Sequence, residues 1–162
     1  MLTKVTYNRE AATQYAIKWA LARNPIYNDF DENGSDSTNF ASQSIQAGSG
    51  IMNDTPVMGW YYNNKNDLTS SWSELQYLYN FLIYNKSVGP YAEVVDKRRM
   101  ELGDIVQLKD ESGRFYHSLV VVSIDHDILV AAHTLDVLYK PLSSYEFAQI
   151  RYIHINGVRI YT

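Results

Sequence analysis

Cysteine is absent from this sequence of 162 residues. The chain as given therefore has no disulfide, no thiolate metal ligand and no thiol nucleophile. Long apolar runs are missing too: none approaches the ~18 residues that span a bilayer, and the start, MLTKVTYNRE, lacks the apolar core of a signal peptide. We therefore expect a soluble chain with no membrane span. Its first Met is compatible with the boundary of a domain cut from a longer secreted or phage protein.

Basic charge is also scarce. The chain has 14 Lys and Arg against 18 Asp and Glu, which gives a net charge of −4. The densest basic run is only Lys97-Arg98-Arg99, and we predict that it lies on a solvated face. This balance disfavours a nucleic-acid surface, so we expect no nucleic-acid partner.

Three helices are predicted in the first half of the chain. Small and aromatic residues at helical spacing predict one over residues 8–23, whose first residue can cap it. A second is predicted over residues 37–48, with Gly48 as the glycine that ends it. A possible capping box at residues 71–74 predicts a third helix over residues 75–82.

The second half has the pattern of strands. Residues 105–108, 115–124 and 128–132 are predicted as strands, and residues 115–124 are apolar on both faces, which is typical of a central strand. Residues 153–160 predict a hairpin, because Asn156-Gly157 is the usual signal of a type I′ turn.

The order of these elements predicts the fold class. Helices followed by a meander of strands are typical of an α+β fold. Hydrophobic residues make up 46% of the chain, enough for a substantial core. Since no repeat or linker divides the sequence, we predict one domain over residues 1–162.

Two histidines and a serine are candidates for chemistry. His117 lies within the predicted central strand and His133 ends the next one, so antiparallel neighbours could bring the two rings together. Ser37 opens a helix, and a nucleophile at a helix start, a facing histidine and a second polar residue form the general triad arrangement. A structural interpretation stays open, because a serine can cap a helix and strand histidines can be core residues. His126 and His154 are weaker candidates.

Five segments resemble a known family. They are YNREAATQYAIKWALARNPIYNDF, DSTNFASQSIQAG, GDIVQL, FYHSLVVV and AAHTLDVLYKPLSSY, and together they span almost the whole chain in order. They resemble the putative amidase family of bacterial cell-wall-associated proteins, a branch of the papain-like cysteine hydrolases related to the NlpC/P60 and CHAP domains. The resemblance implies a papain-like fold, with the nucleophile at a helix start packed on a C-terminal antiparallel sheet.

The resemblance also assigns roles to residues. The family has a D-C-T-N-F core in which the cysteine is the nucleophile, and Ser37 occupies that position here. His117 matches the base and His133 the third, orienting residue, while Asp36 and Asn39 are supporting residues. The implied activity is hydrolysis of a peptide or other amide bond, with peptidoglycan as the expected substrate and no cofactor. The full-length protein is then expected to be secreted or associated with the cell wall.

Serine at position 37 departs from the family pattern. A thiol at a helix N-terminus beside a histidine can ionise near neutral pH, whereas a hydroxyl is far less acidic. Three explanations remain: a Cys-to-Ser change made to trap an inactive form, a natural serine hydrolase, or a natural non-catalytic binder. The other motifs of the family are intact, which favours the first explanation. We therefore expect low or no activity. A peptide- or glycan-binding module and an intracellular protease or toxin domain are the alternative functions.

An acidic loop precedes the candidate nucleophile. Asp29-x-Asp31-x-Asn33-Gly34 matches the first half of an EF-hand, but Phe40 stands where the loop needs a bidentate Glu, so an EF-hand is excluded. Some CHAP-type relatives bind calcium just upstream of the nucleophile, so a weak site at Asp29 and Asp31 stays an alternative to a plain acidic loop. Two histidines without a carboxylate or cysteine partner make a poor zinc site, and we predict no metal.

Overall fold

The computed structural model describes residues 1–33 and 35–162. The α-helices of this part of the chain are α1 (Arg9–Trp19), α2 (Ser37–Ser49), α3 (Ser70–Ser73) and α4 (Leu75–Tyr84). The strands are β1 (Leu2–Val5), β2 (Tyr62–Asn64), β3 (Asp67–Leu68), β4 (Gly89–Val95), β5 (Ile105–Lys109), β6 (Phe115–Ile124), β7 (Ile128–Ala132), β8 (Val137–Pro141) and β9 (Gln149–Tyr161). The basic run Lys97–Arg99 forms an exposed 3₁₀ turn, as expected of a solvated face.

An antiparallel sheet combines strands of the second half of the chain with β1 from the N-terminus. Its strand order is β1-β9-β5-β6-β7-β8, and β4 also pairs with β9. Strand β6 lies between β5 and β7, so the prediction of a central strand is confirmed. Its side chains alternate: Val120 and Val122 belong to one apolar cluster, whereas Leu119 and Val121 belong to another. The run is apolar on both faces because each face covers a separate core.

The helices pack on one face of this sheet. Their apolar residues belong to the same apolar cluster as Val120 and Val122 of β6. This cluster also contains the buried Trp60 and Trp72. Strands β5, β6 and β7 line the second cluster on the opposite face. The predicted α+β class, with helices packed on an antiparallel sheet, is confirmed.

The ends of the first two helices differ from the prediction. The Asn8 side chain caps α1 by accepting a hydrogen bond from Ala11 N, as expected. The helix ends at Trp19, because its carbonyl accepts from Ala22 N and the His133 ring instead of continuing the helical pattern. Helix α2 starts at Ser37 as predicted.

Gly48 does not end α2, contrary to prediction. The left-handed cap is Gly50, with φ 72° and an N–H that donates to the Gln46 carbonyl. Gly48 lies inside the helix against Tyr7, where a β-carbon would approach the Tyr7 ring to 2.4 Å. Close packing therefore requires a glycine at Gly48, and backbone conformation favours one at Gly50.

The predicted capping box at residues 71–74 is wrong. Glu74 is extended, with φ −115° and ψ 125°, and it separates α3 from α4. The hydroxyl of Ser71 donates to the Gly59 carbonyl instead of capping a helix. This tertiary hydrogen bond joins α3 to the preceding loop.

The predicted hairpin at Asn156-Gly157 is also wrong. Strand β9 runs straight through both residues, and its pairing with β4 has an irregularity there: Tyr91 is opposite Gly157, while Ala92 is opposite Ile155. Asn156 is thus the extra residue of a β-bulge. A β-carbon on Gly157 would lie 2.9 Å from the Tyr91 hydroxyl, so the glycine allows this close approach.

No helix within the described ranges is both long and apolar enough to cross a membrane.

Candidate active site

Ser37 lies at the buried N-terminus of α2. Its side chain faces β6, where its Oγ accepts a hydrogen bond from Ser118 N at 3.3 Å. The Ser35 hydroxyl donates to the same oxygen at 3.3 Å. The next helix residue, Thr38, contacts the Ser118 hydroxyl at 3.0 Å. The start of α2 is therefore fixed against the strand that carries His117.

His117 is buried on β6 beside two tyrosine rings. The centres of the Tyr116 and Tyr145 rings lie 5.8 and 6.0 Å from that of His117. Burial, together with the positive charge of Lys140, lowers the pKa of His117 from 6.5 to about 4. The imidazole is therefore neutral at pH 7, the state in which a histidine can accept a proton.

Ser37 and His117 are neighbours, but their side chains do not bond to each other in the described residues. The link between them runs through Ser118 N, the backbone group directly after His117. Ser118 faces the helices, and alternation along β6 turns His117 to the opposite face. A direct approach of the Ser37 hydroxyl to the His117 ring stays a prediction.

His133 has partners other than His117. Its Nδ1 lies 2.5 Å from Asp36 Oδ2, and its Nε2 lies 2.8 Å from the carbonyl of Trp19. A carbonyl can only accept, so Nε2 carries a proton. The ring also stacks on Phe40, with 4.0 Å between the ring centres. Both nitrogens are occupied, which leaves none to orient His117.

The register of β6 and β7 explains this difference from the sequence prediction. Val120 is opposite Ala131, so continuing the pairing places His133 opposite Ser118 and on the helix side of the sheet. His117 is one residue away and faces the other side. His117 lies on β6, whereas His133 directly follows the adjacent strand β7, and the expected contact between the two rings is not formed in the described residues.

Asp36 and Asn39, the predicted supporting residues, are joined by a hydrogen bond of 2.8 Å. Asp36 also accepts from Phe30 N, and Asn39 accepts from the indole N–H of Trp72. Both side chains are buried. The sequence prediction missed that Asp36 bonds to His133. Asp36 and His133 are polar residues at buried positions, and buried polar groups need partners. That requirement was the available signal for a bond between them.

The acidic loop before α2 surrounds Arg23. The guanidinium contacts Asp31, lies 3.2 Å from Asp29 and lies 2.9 Å from Asp136. Burial by itself would raise the pKa of Asp31. Hydrogen bonds from Thr134 and Arg23 outweigh burial and lower this pKa. The carboxylates that suggested calcium thus face an internal cation, a partner that the sequence prediction missed. Gly34 of the same motif is outside the described residues.

Within residues 1–33 and 35–162, no group of three or more His, Asp or Glu has an arrangement that could hold a metal ion.

A cavity of about 390 Å³ opens beside His117. It is lined by Ser35, Tyr116, His117, Thr134, Leu135, Val137, Lys140 and Tyr145. Ser35, which precedes α2, lines the cavity, and its hydroxyl is hydrogen-bonded to Ser37. A carbonyl compound bound here would meet a neutral imidazole, hydroxyl groups and an ammonium group. Sequence reasoning did not identify Ser35, Lys140 or Tyr145 as part of the site.

A second cavity, of about 460 Å³, lies between α4 and residues 53–59. Its lining contains no histidine, so it lacks the proton acceptor that the first cavity has.

Comparison with known proteins identifies the family of the chain. The family described as "Putative amidase domain" matches residues 6–156, a range that includes Ser37, His117 and His133. "Uncharacterized protein YhbB" of Bacillus subtilis (strain 168) is 32% identical over 134 residues, which cover 80% of this chain and 42% of that protein. The chain therefore spans less than half the length of this relative. No solved structure matches the chain. Since the family match covers nearly all of its residues, the chain belongs to the putative amidase domain family.

Proposed function

We propose that this domain hydrolyses an amide or peptide bond, with residue 37 at the nucleophile position and His117 as the general base. One observation carries the proposal: the residue that begins α2 is held against β6 at the peptide group that follows His117, and the neutral imidazole of His117 lines an open cavity. The family's description as an amidase domain supports an amide substrate.

The position of residue 37 suits a nucleophile. A helix N-terminus favours negative charge, so a thiol there would ionise more readily than a free cysteine. The backbone N–H of Ser37 donates to Ser35 Oγ at 3.3 Å, a long hydrogen bond that a substrate oxygen could replace. This N–H is therefore our candidate donor for an oxyanion hole.

The proposed reaction is a covalent acyl transfer. The nucleophile attacks the substrate carbonyl carbon while His117 takes its proton and passes it to the leaving amine. Water then attacks the acyl-enzyme, His117 accepts a proton from it, and the carboxylic acid leaves as the nucleophile is restored. Asp36 and His133 act in this scheme by holding the start of α2, since neither contacts His117.

Finer assignments rest on the sequence resemblance. We propose a papain-like fold related to NlpC/P60 and CHAP domains, peptidoglycan as substrate, and a secreted or wall-associated full-length protein. With serine at position 37 we expect little or no turnover, because a hydroxyl does not ionise as a thiol does.

A non-catalytic binding module is the second candidate function. The absence of a side-chain hydrogen bond between Ser37 and His117 in the described residues favours it. In that case the cavity would bind a peptide or glycan and leave it intact.

Restoring the thiol separates the two functions. We expect Ser37→Cys to gain hydrolysis of peptidoglycan and model amides, detected by mass spectrometry of the fragments, and His117→Ala in the same background to abolish the gain. Ser35→Cys is the matched control, because it adds a thiol to the same cavity at the wrong position. If the Ser37→Cys form leaves every substrate intact, or if Ser35→Cys is equally active, the proposed nucleophile is wrong.

A further inference from the structure

We propose that Lys140 binds a carboxylate of the substrate, so that the site prefers amides or peptides with a free carboxylate near the scissile bond. This inference rests on the proposed function of the cavity beside His117. It adds a substrate class and names the residue that selects it.

Lys140 projects from β8 into that cavity. It is opposite Val130 of β7, whose side chain belongs to the cluster on the His117 side of the sheet. Its Nζ lies 4.1 Å from the centre of the Tyr145 ring, and that ring centre lies 6.0 Å from the His117 ring centre. The ammonium group is thus held by an aromatic ring beside the proposed general base.

Within the described residues, no carboxylate forms an ion pair with Lys140. Ion pairs in the described residues involve Arg9, Arg23, Arg98, Arg99 and two histidines. None of them includes Lys140, and no described Asp or Glu lies within 4.0 Å of its nitrogen. This contrasts with Arg23, whose guanidinium is surrounded by carboxylates. A bound anion would therefore not compete with a carboxylate of the described residues for this half-buried cation, and the two charges would attract each other.

Tyr145 supplies a second group for an anion. Burial and the neighbouring Tyr116 raise the pKa of Tyr145 to about 12, so its hydroxyl stays protonated at neutral pH. That hydroxyl makes no hydrogen bond to the described protein groups. Lys140 and Tyr145 together offer one charged and one neutral donor, which match the two oxygens of a carboxylate.

The effect of Lys140 on His117 links this binding to catalysis. The ammonium charge helps to lower the pKa of His117. A carboxylate that pairs with Lys140 would cancel part of that charge and raise the basicity of the imidazole. The preferred substrate would therefore adjust the general base as it binds.

Binding to the protein with Ser37 tests this without requiring turnover. We suggest isothermal titration with two matched pairs: acetyl-Ala-Ala-Ala as the free acid and as the amide, and acetyl-Ala-Glu-Ala-amide with its Gln counterpart. We expect the carboxylate member of at least one pair to bind about tenfold more tightly, as one charge-assisted hydrogen bond allows. Lys140→Met should remove the difference and Lys140→Arg should keep it. Lys109→Met is the matched control, because Lys109 also lies near an aromatic ring, that of Phe115, but outside the cavity.

The outcomes separate the inference from the proposed function. Equal affinities within both pairs, or a preference that survives Lys140→Met, would overturn the carboxylate site. If the Ser37→Cys form hydrolyses acids and amides equally well, the hydrolase stands and the inference fails. If the binding preference is present but the Ser37→Cys form hydrolyses nothing, Lys140 binds carboxylates in a protein that is not a hydrolase. Thermal unfolding of each variant checks that it is folded.

Discussion

His117 has the most unusual environment of the candidate catalytic residues. Two tyrosines and the Lys140 ammonium surround a ring that makes no hydrogen bond in the described residues. Its low pKa keeps it neutral over most of the physiological range. A base with so low a pKa accepts a proton readily only when an opposite charge develops beside it. A thiolate at position 37 or a carboxylate at Lys140 would supply such a charge.

The titration of His117 is a prediction at the scale of one residue. Its NMR signals should titrate with a midpoint near pH 4, whereas an exposed histidine titrates near 6.5. Lys140→Met should move the midpoint upward, because a repelling charge is removed, but burial should keep it below 6.5. A midpoint at 6 or above in the unsubstituted protein would contradict the burial of His117.

The start of α2 is the element on which the site depends. The Asp36 carboxylate is hydrogen-bonded there to Phe30 N, Asn39 and His133, and Arg23 Nε lies 3.8 Å from it. These contacts join the helix to the preceding loop and to the end of β7. The nucleophile position is thus fixed by buried polar groups that do not themselves touch the cavity, which explains why such polar residues occur inside the protein.

A double-mutant cycle on this element tests the contact. Asp36→Ala and His133→Ala should each destabilise the protein by roughly 3 kcal/mol, because each leaves a buried polar partner unsatisfied. The double variant should be less destabilised than the sum, with a coupling of about 1–3 kcal/mol in urea unfolding. Purely additive effects would show that the short Asp36–His133 contact contributes no specific energy. The same cycle with His126→Ala in place of His133→Ala is the control.

At the scale of the whole molecule, the buried ionisable groups should make the protein sensitive to acid. The folded state holds His117 neutral down to about pH 4, while the unfolded chain protonates it near pH 6.5. The unfolded state therefore binds more protons between these values, and stability falls as pH decreases through this window. Asp31, whose pKa is lowered in the folded state, adds a loss in the same direction at more acidic pH.

This pH dependence can be measured by urea unfolding at pH 7 and pH 4.5. The unsubstituted protein should lose about 2 kcal/mol of stability from His117 alone, because this interval covers most of the difference between its folded and unfolded pKa. A His117→Gln variant should lose less over the same interval, because the glutamine does not titrate. If both proteins show the same decrease, another group causes the acid sensitivity.

The sequence by itself determined the features that depend on local chemistry. Strands β6 and β7, the Asn8 cap and the start of α2 at Ser37 follow from side-chain periodicity and from capping, which involve residues close together in the chain. Periodicity and capping also allowed the residue types of the site to be predicted: a serine at a helix start and histidines on adjacent predicted strands. The family resemblance added roles for them that periodicity does not contain.

Only the tertiary structure decided which of these residues meet. A shift of one residue in strand pairing turns a side chain to the other face of a sheet, so His117 and His133 are separated although their strands are neighbours. Asn156-Gly157 signals a turn locally, but pairing with β4 makes it a bulge inside a long strand. The contacts that Lys140 and Arg23 make are likewise set by strands and loops distant in sequence. Register and long-range packing are cooperative properties of the whole fold, and no short stretch of sequence specifies them.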